Sequence, residues 1–217
     1  MRIDMKFLVI TDLHEEESAV EWINELAEKN DVRAILFLGD VTDMGTCEDG
    51  RKILKQLKRE TYFIPGNCDP EEISKENADI INDVHGKAFE IDGIKFAALG
   101  GSNPTIFETP CELQEDEITK RLEAISSNGM ILMTHAPSYG ILDHIPSGLS
   151  VGSKAIREIV KKYKPIVALS GHIHEDIGMI EQEGTLFINP GPARDGHAVL
   201  LETDGKTASA KAIGPKD

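Results

Sequence analysis

The stretch Ala34-Ile-Leu-Phe-Leu-Gly-Asp-Val-Thr-Asp43 decides how the chain is read. Its unbroken run of five apolar residues suits a strand buried on both faces, as in a parallel sheet. Gly39 then lets the backbone approach a neighbour closely, and Asp40 projects from the strand tip. Four other places repeat the pattern. Phe7-Leu-Val-Ile10 leads into Thr11-Asp-Leu-His14, and Tyr62-Phe-Ile64 into Pro65-Gly-Asn-Cys-Asp69. Met130-Ile-Leu-Met133 leads into Thr134-His-Ala-Pro137, and Ile166-Val-Ala-Leu169 into Ser170-Gly-His-Ile-His174. Each apolar run is thus followed at once by side chains of metal-ligand type, and strand ends are where α/β sheets hold ligands.

Between these runs the apolar period changes to that of helices. Ser18 to Lys29 carries Val20, Ile23, Leu26 and Ala27 on one face, with Ser18 as the expected N-cap. Further helices are predicted over Arg51 to Lys58, Asp116 to Ser127 and Ser153 to Tyr163. Ala88 to Ile91 and Ile94 to Ala97 flank Asp92-Gly93, a two-residue hairpin signal that introduces antiparallel strands. The tail from Ile177 to Ile213 reads as strands and turns. Ser102 to Glu115 and Ala136 to Gly152, rich in Pro, Ser and Gly, are expected as long ordered loops. The pattern predicts an α/β sandwich, and 217 residues suit a single domain spanning 1–217.

The formal net charge is -15, and the basic residues are scattered. That argues against tight binding to nucleic acid or to an anionic membrane. An anionic substrate would need a local positive source, which bound metal ions supply. No apolar stretch approaches the roughly 20 residues that span a bilayer, and the N-terminus runs straight into a strand pattern, so a cytoplasmic protein is expected. Cys47, Cys68 and Cys111 lack any Cys-x-x-Cys pairing and read as reduced thiols.

The ligand-type residues have a consistent chemistry. Asp12 and His14, two apart, can grip one divalent ion from a single turn. A centrally placed Asp40 can bridge two ions, Asn67 offers a neutral amide oxygen, and alternate His172 and His174 can point the same way from extended chain. Any one motif is weak alone; their shared placement at five strand ends makes the metal-site reading.

These blocks resemble the calcineurin-like metallophosphoesterase superfamily, from the Asp12 block to the His174 block. Gly100-Gly-Ser-Asn-Pro104, Thr109-Pro110, Thr134 to Asp143, Val151 to Arg157 and Asn189-Pro-Gly191 are similar to the Icc-related predicted phosphoesterases. The resemblance implies a four-layer αββα sandwich with two divalent metal ions at one rim of the sheets. It implies that Asp12, His14 and His174 hold the first ion, that Asn67, His135 and His172 hold the second, and that Asp40 bridges them. Without a thiolate among the ligands, Mn²⁺, Fe, Zn²⁺ or Ni²⁺ would fit, with Mn²⁺ favoured by the family. Two cations about 3.5–4 Å apart would activate a bridging hydroxide for in-line attack on a small-molecule phosphoester, without a covalent enzyme intermediate. A phosphodiester, small or nucleotide-like, is the expected substrate. The competing readings are a catalytically weak interaction scaffold on the same fold and a DNA nuclease, the latter disfavoured by the charge. Extra strands in the tail would also suit a homodimer.

The sequence departs from the family pattern at Cys68, where many members have a His that serves the leaving group. A thiol is a poor substitute acid, so good leaving groups should suffer least. Met44 replaces the Arg of the protein-phosphatase branch. Asp69 is expected either to orient Asn67 or its loop or to cap a helix from Pro70, and Asp43 either to orient a ligand or to serve the structure. Asp40, Asn67, Cys68 and Asp69 are the candidate catalytic residues, and Asn67, Cys68, Asn103, His144 and Arg194 the candidate substrate contacts. His85, His144 and His197 read otherwise as surface or loop residues, His144 least securely because its loop begins at a ligand and could close over substrate. Ser153 reads as an N-cap at a helix start that could also bind an anion.

Overall fold

Apolar runs that alternate their faces build two sheets back to back. In the computed structural model, which describes residues 5–215, the first sheet holds β1 (Met5–Ile10), β2 (Ala34–Phe37), β3 (Thr61–Phe63), β4 (Asn82–Asp83), β11 (Ala198–Thr203) and β12 (Ala208–Ile213), in the order β12-β11-β1-β2-β3-β4. The second holds β5 (Lys87–Ile91), β6 (Ile94–Leu99), β7 (Ile131–Thr134), β8 (Val167–Leu169), β9 (Gly178–Gln182) and β10 (Thr185–Asn189), in the order β5-β6-β7-β8-β10-β9. β1 to β4 are mutually parallel, as are β6, β7, β8 and β10, and the strands outside them run antiparallel.

The period of two assigns each side chain to a layer. From β1, Phe7 and Val9 join Phe96, Ala98, Ile131 and Met133 of the second sheet in the core between the sheets. Leu8 and Ile10 point the other way, onto Val20, Ile23 and Ala27 of helix α1 (Ser18–Lys29) and Ile53 of α2 (Cys47–Leu54). A short α3 (Ile73–Glu76) adds Ile73 to that layer. On the far side, Ala97 and Leu99 of β6 meet Ile118 and Leu122 of α4 (Glu115–Ile125) and Ile156 and Ile159 of α5 (Lys154–Tyr163). The result is the four-layer αββα sandwich. At its centre Phe96 packs edge-on against Phe7 and stacks on Phe89, with ring centroids 5.8 and 4.9 Å apart. Such pairs add about 0.5–1.5 kcal/mol beyond the area they bury.

The expected hairpin is present: Ile91 pairs with Ile94, and Asp92 and Gly93 have φ of 49° and 86°. Positive φ at both positions is what a two-residue turn of the I′ type requires. Two helix starts differ from expectation. Ser18 is the first helical residue rather than the cap, and its hydroxyl donates to Glu16. α2 begins at Cys47, four residues before the expected Arg51, because Thr46 caps it: Thr46 Oγ1 accepts from the Asp49 N–H while the Asp49 carboxylate accepts from the Thr46 N–H. That reciprocal box satisfies the orphan donors of the first turn. The 102–115 loop ends one residue early, since Glu115 opens α4.

Candidate metal centre

The parallel strands β1, β2, β3, β7 and β8 all end at one edge, and the turns that follow are sewn together by their backbones. The Asp12 N–H donates to the Gly39 carbonyl (2.9 Å), the Leu13 and His14 N–H groups both donate to the Asp40 carbonyl (2.8 and 2.9 Å), and Gly171 N–H donates to the His135 carbonyl (2.9 Å). Two glycines make this approach possible. A Cβ on Gly39, whose φ is +104°, would stand 2.3 Å from Gly66 N, and one on Gly171 would stand 2.1 Å from Thr11 Oγ1 and 2.6 Å from Asp12 Oδ2. Four candidate ligands, Asp12, His14, Asp40 and His172, have left-handed backbone with φ of 54°, 45°, 53° and 68°. A non-glycine residue in that region costs about 1–3 kcal/mol and clusters at functional sites, where the surroundings impose it.

The structure brings the seven ligand-type side chains to the same edge. Asp12, His14 and His174 each present a ligand atom within 4.8 Å of the others, and so do Asp12, Asp40 and His135. His174 Nε2 lies 3.1 Å from Asp12 Oδ1. Asp40 Oδ2 stands between the two groups, 3.7 Å from His14 Nε2 and 3.4 Å from His135 Nε2. Asn67 Oδ1 is 2.9 Å from that same His135 nitrogen. His172 is set beside His135, ring centroids 5.2 Å apart, and its N–H donates to Asp12 Oδ2 at 3.1 Å.

Orientation comes from groups behind the ligands. His135 Nδ1 donates to the Leu38 carbonyl 2.8 Å away, which aims Nε2 at Asp40 and Asn67; the proton held on Nε2 in the metal-free protein is the one a cation would displace. The Asn67 amide donates to Thr109 Oγ1 (3.2 Å), which donates to Glu112 (2.7 Å), and this turns the amide oxygen inward. Asp43 is exposed and stands 3.7 Å from His14 Nδ1, too far for a hydrogen bond. Carboxylates, imidazoles and an amide oxygen therefore converge in a buried space, and Asp12 Oδ1 and both ring nitrogens of His14 are buried without a hydrogen-bond partner. Buried polar atoms need partners, and convergent lone pairs are reconciled by cations. The donor set of carboxylates, imidazoles and an amide oxygen fits divalent metal ions.

The ionisation behaviour of the bare side chains reports the same crowding. Burial pushes His135 down, but Asp40 outweighs it and holds the imidazolium to about 9. Burial and the charge on His135 push His172 down to about 4. Asp40 is held below the usual carboxylate range because His135 outweighs burial. Burial, reinforced by Asp40, pushes Asp69 up to about 6 and keeps the Cys68 thiol protonated.

Several other expectations meet the structure here. Asp69 does not cap a helix: its carboxylate accepts from the N–H groups of Val41, Thr42 and Gly66 and from Thr42 Oγ1, so it ties the Asn67 loop to the Asp40 loop. Cys68 lies buried next to Asn67, its N–H donating to Asp40 Oδ1 at 2.8 Å. Arg194, in a 3-10 turn over Ala193–Asp195, reaches to 3.4 Å from His174 Nδ1 and so stands at the rim of the cluster. The Asn103 amide is taken up elsewhere, donating to the Val151 carbonyl and joining the two long loops. Ser153 caps α5 by accepting from Ile156 N–H, and the start of that helix already has its anion: Glu115 accepts from the Lys154 and Ala155 N–H groups. His144 is exposed and bonded to Asp176. His85 is not a surface residue, since its side chain is 12% exposed and accepts from Gly100 N–H. His197 is partly buried and lies outside the cluster. Thr109, Glu112 and the Leu38 carbonyl support the cluster without a motif of their own; of these only Thr109, within the Thr109-Pro110 resemblance, carries a signal in the sequence.

The calcineurin-like phosphoesterase family model matches residues 5–176. The chain belongs to that family. Family members work with divalent metals, and the cluster around Asp40 supplies groups able to hold them. An uncharacterised protein of Methanocaldococcus jannaschii is 32% identical over 201 residues, 87% of this chain and 88% of that one. A protein of Arcobacter nitrofigilis named probable glycerophosphodiester phosphodiesterase is 27% identical over 164 residues, 70% of this chain and 59% of that protein. Among solved structures, a dimetal phosphatase from Danio rerio shares the fold with a TM-score of 0.67 at 12% identity, covering 97% of this chain and 96% of that chain. A structure described as a novel archaeal phosphodiesterase has a TM-score of 0.57 at 20% identity, covering 96% and 99%. No helix among the described residues is long and apolar enough to cross a membrane.

Proposed function

We propose that this phosphoesterase is a dinuclear phosphodiesterase that hydrolyses a small or nucleotide-like phosphate ester. The observation that carries the reading is the position of Asp40 Oδ2 between His14 Nε2 and His135 Nε2, at 3.7 and 3.4 Å. In this account Asp12, His14 and His174 would hold one cation and Asn67, His135 and His172 the other, with Asp40 available to both. Mn²⁺ is the proposed occupant, with Fe, Zn²⁺ or Ni²⁺ as chemically equivalent choices. Two such ions supply the positive potential that draws in a phosphoryl group and the acidity that makes water a nucleophile at neutral pH.

The chain's own groups do the rest. Asp40, anchored through Oδ1 by Cys68 N–H, fixes the separation of the two ligand sets. Asp69 keeps the Asp40 and Asn67 loops in register, a supporting part in catalysis that needs no contact with substrate. When His174 Nε2 is engaged, its Nδ1 carries the proton, and Arg194 loses its partner there. The guanidinium is then free to hold a phosphoryl oxygen. Cys68 offers no effective acid for the leaving group, which favours diesters whose leaving group needs little help. The name of the Arcobacter relative supports a diester over a monoester. We place this activity in a single cytoplasmic domain acting on a small molecule, with a homodimer as a compatible assembly.

The test is a panel of mono-, di-, cyclic and pyrophosphate esters assayed with Mn²⁺, Fe²⁺, Zn²⁺ and Ni²⁺. Cleavage of bis-p-nitrophenyl phosphate faster than the monoester, dependent on added metal, is the expected result. Metal-loaded protein inert on the whole panel would favour the scaffold reading.

A further inference from the structure

A second set of ligand atoms meets at the base of the 136–152 loop, outside the Asp40 cluster. Asp143, His144 and Asp176 each present one within 4.8 Å of the other two. The Asp143 side chain is fully buried, and its oxygens differ in their surroundings. Oδ2 accepts from the N–H groups of Gly140 and Gly152, at 2.9 and 3.0 Å. Oδ1 is buried and has no hydrogen-bond partner. It is aimed at His144, 3.7 Å from Nδ1, while Asp176 Oδ2 lies 2.8 Å from that same nitrogen. Two carboxylates therefore converge on one imidazole nitrogen, and one of their oxygens is left unsatisfied, which is costly for a buried charged group.

We propose that Asp143 Oδ1, His144 Nδ1 and Asp176 Oδ2 form a mononuclear site for a first-row divalent cation, separate from the dinuclear centre. The geometry is close to what such an ion needs. Bonds of about 2.1 Å in a tetrahedron place ligand atoms roughly 3.4 Å apart. The two measured separations of 2.8 and 3.7 Å bracket that value. Two carboxylate oxygens and one imidazole, without sulfur, suit Zn²⁺, Mn²⁺ or Fe²⁺ and leave a position for solvent. The ligands are pre-placed: Asp176 Oδ2 also accepts the His144 backbone N–H at 2.8 Å, and Val151 N–H donates to the Asp143 carbonyl at 3.1 Å. His144 and Ser150 pair across the loop as an antiparallel bridge. An ion here ties the loop that begins at His135 to the segment that carries His172 and His174.

The test is to strip the protein of metal with a chelator, titrate it with Zn²⁺ by calorimetry, and measure bound zinc by elemental analysis after desalting. Wild type is expected to hold three ions per chain, and His144→Ala and Asp176→Asn two each. His135→Ala, which disturbs only the dinuclear centre, is expected to keep the Asp143 site. Circular dichroism checks folding, and His144→Gln replaces any variant that fails to fold. Equal zinc content in wild type and both loop variants overturns the proposal, as does a loss in Asp176→Asn without one in His144→Ala. One ion in wild type that disappears in His144→Ala supports this site while contradicting the dinuclear centre, so the two failures are distinguishable.

Discussion

His135 Nδ1 lies 2.8 Å from the carbonyl oxygen of Leu38, the residue before the Gly39-Asp40 tip. One strand end thus supplies both the central carboxylate and the group that orients the imidazole facing it. Removing either side chain should dismantle the centre. Asp40→Ala and His135→Ala are expected to lose metal from the dinuclear site and to lower Mn²⁺-dependent diester hydrolysis by at least about 10³-fold, in line with the loss of groups that act as a unit. Metal analysis and turnover on the same samples check this; unchanged activity in either variant contradicts the ligand assignment.

Thr109 touches no candidate ligand atom that would face an ion, yet it receives the Asn67 amide and passes the bond on to Glu112. Thr109→Val keeps the shape and removes the acceptor. Loss of such supporting bonds commonly costs 10–100-fold, so a decrease of about that size in metal affinity or kcat is expected, with Thr109→Ser restoring most of it. Calorimetric metal titration and steady-state kinetics provide the readout.

Gly171 has no room for a side chain between Thr11 and Asp12. Gly171→Ala must push the Asp12 carboxylate aside or shift the turn, and overpacking of this kind costs about 1–3 kcal/mol. A lower thermal midpoint together with weaker metal binding is the expected pair of effects. Normal values of both would show that the turn yields freely.

His85 gives stability a pH dependence away from the metal ligands. Burial, with Arg121 adding to it, pushes its imidazole below the ordinary 6.5, against the opposing pull of Glu71 and Asp83. Gly100 N–H donates to Nδ1, so the neutral ring is the form the fold holds. As pH falls through about 6.5, the unfolded chain takes up a proton that the folded ring does not. Protons bound in the unfolded state then exceed those in the native state, and stability falls with pH until the folded value is reached. His85→Gln should flatten this slope in urea denaturation of apo-protein between pH 5 and 7.5. A slope equal to wild type would contradict the assignment.

Cys68 stands where the family often has a His, and its buried thiol keeps its proton. Cys68→Ala should change hydrolysis of an aryl diester, which leaves easily, by less than about threefold. Cys68→His should speed poorer leaving groups by about 10²-fold, the low end of what a general acid contributes. Rates on aryl and alkyl diesters compared across the three proteins decide it.

The candidate ligands are legible because each block follows directly on a buried apolar run, and parallel strands deliver all such ends to one edge. The hairpin was legible from Asp92-Gly93 because its I′ turn demands those residue types. The four layers came from the family resemblance, since a run such as Phe7 to Ile10 does not say which sheet it joins. The start of α2 could have been read from Thr46 and Asp49, a capping pair three residues apart. His85 and Asp143 could not. The first is buried by Gly100 and Arg121, the second by the loop closing through Gly140 and Gly152, and both depend on chain that is distant or turns back. Left-handed backbone at Asp12, His14, Asp40 and His172 has no local signature either, because Asp and His tolerate it without advertising it.

Anomalous X-ray diffraction from crystals equilibrated with Mn²⁺ tests the central claim most directly. Two peaks about 3.5–4 Å apart, both in contact with Asp40 Oδ2, are the expected result. A single peak at the centre, or two with Asp40 outside the coordination of either, would contradict it.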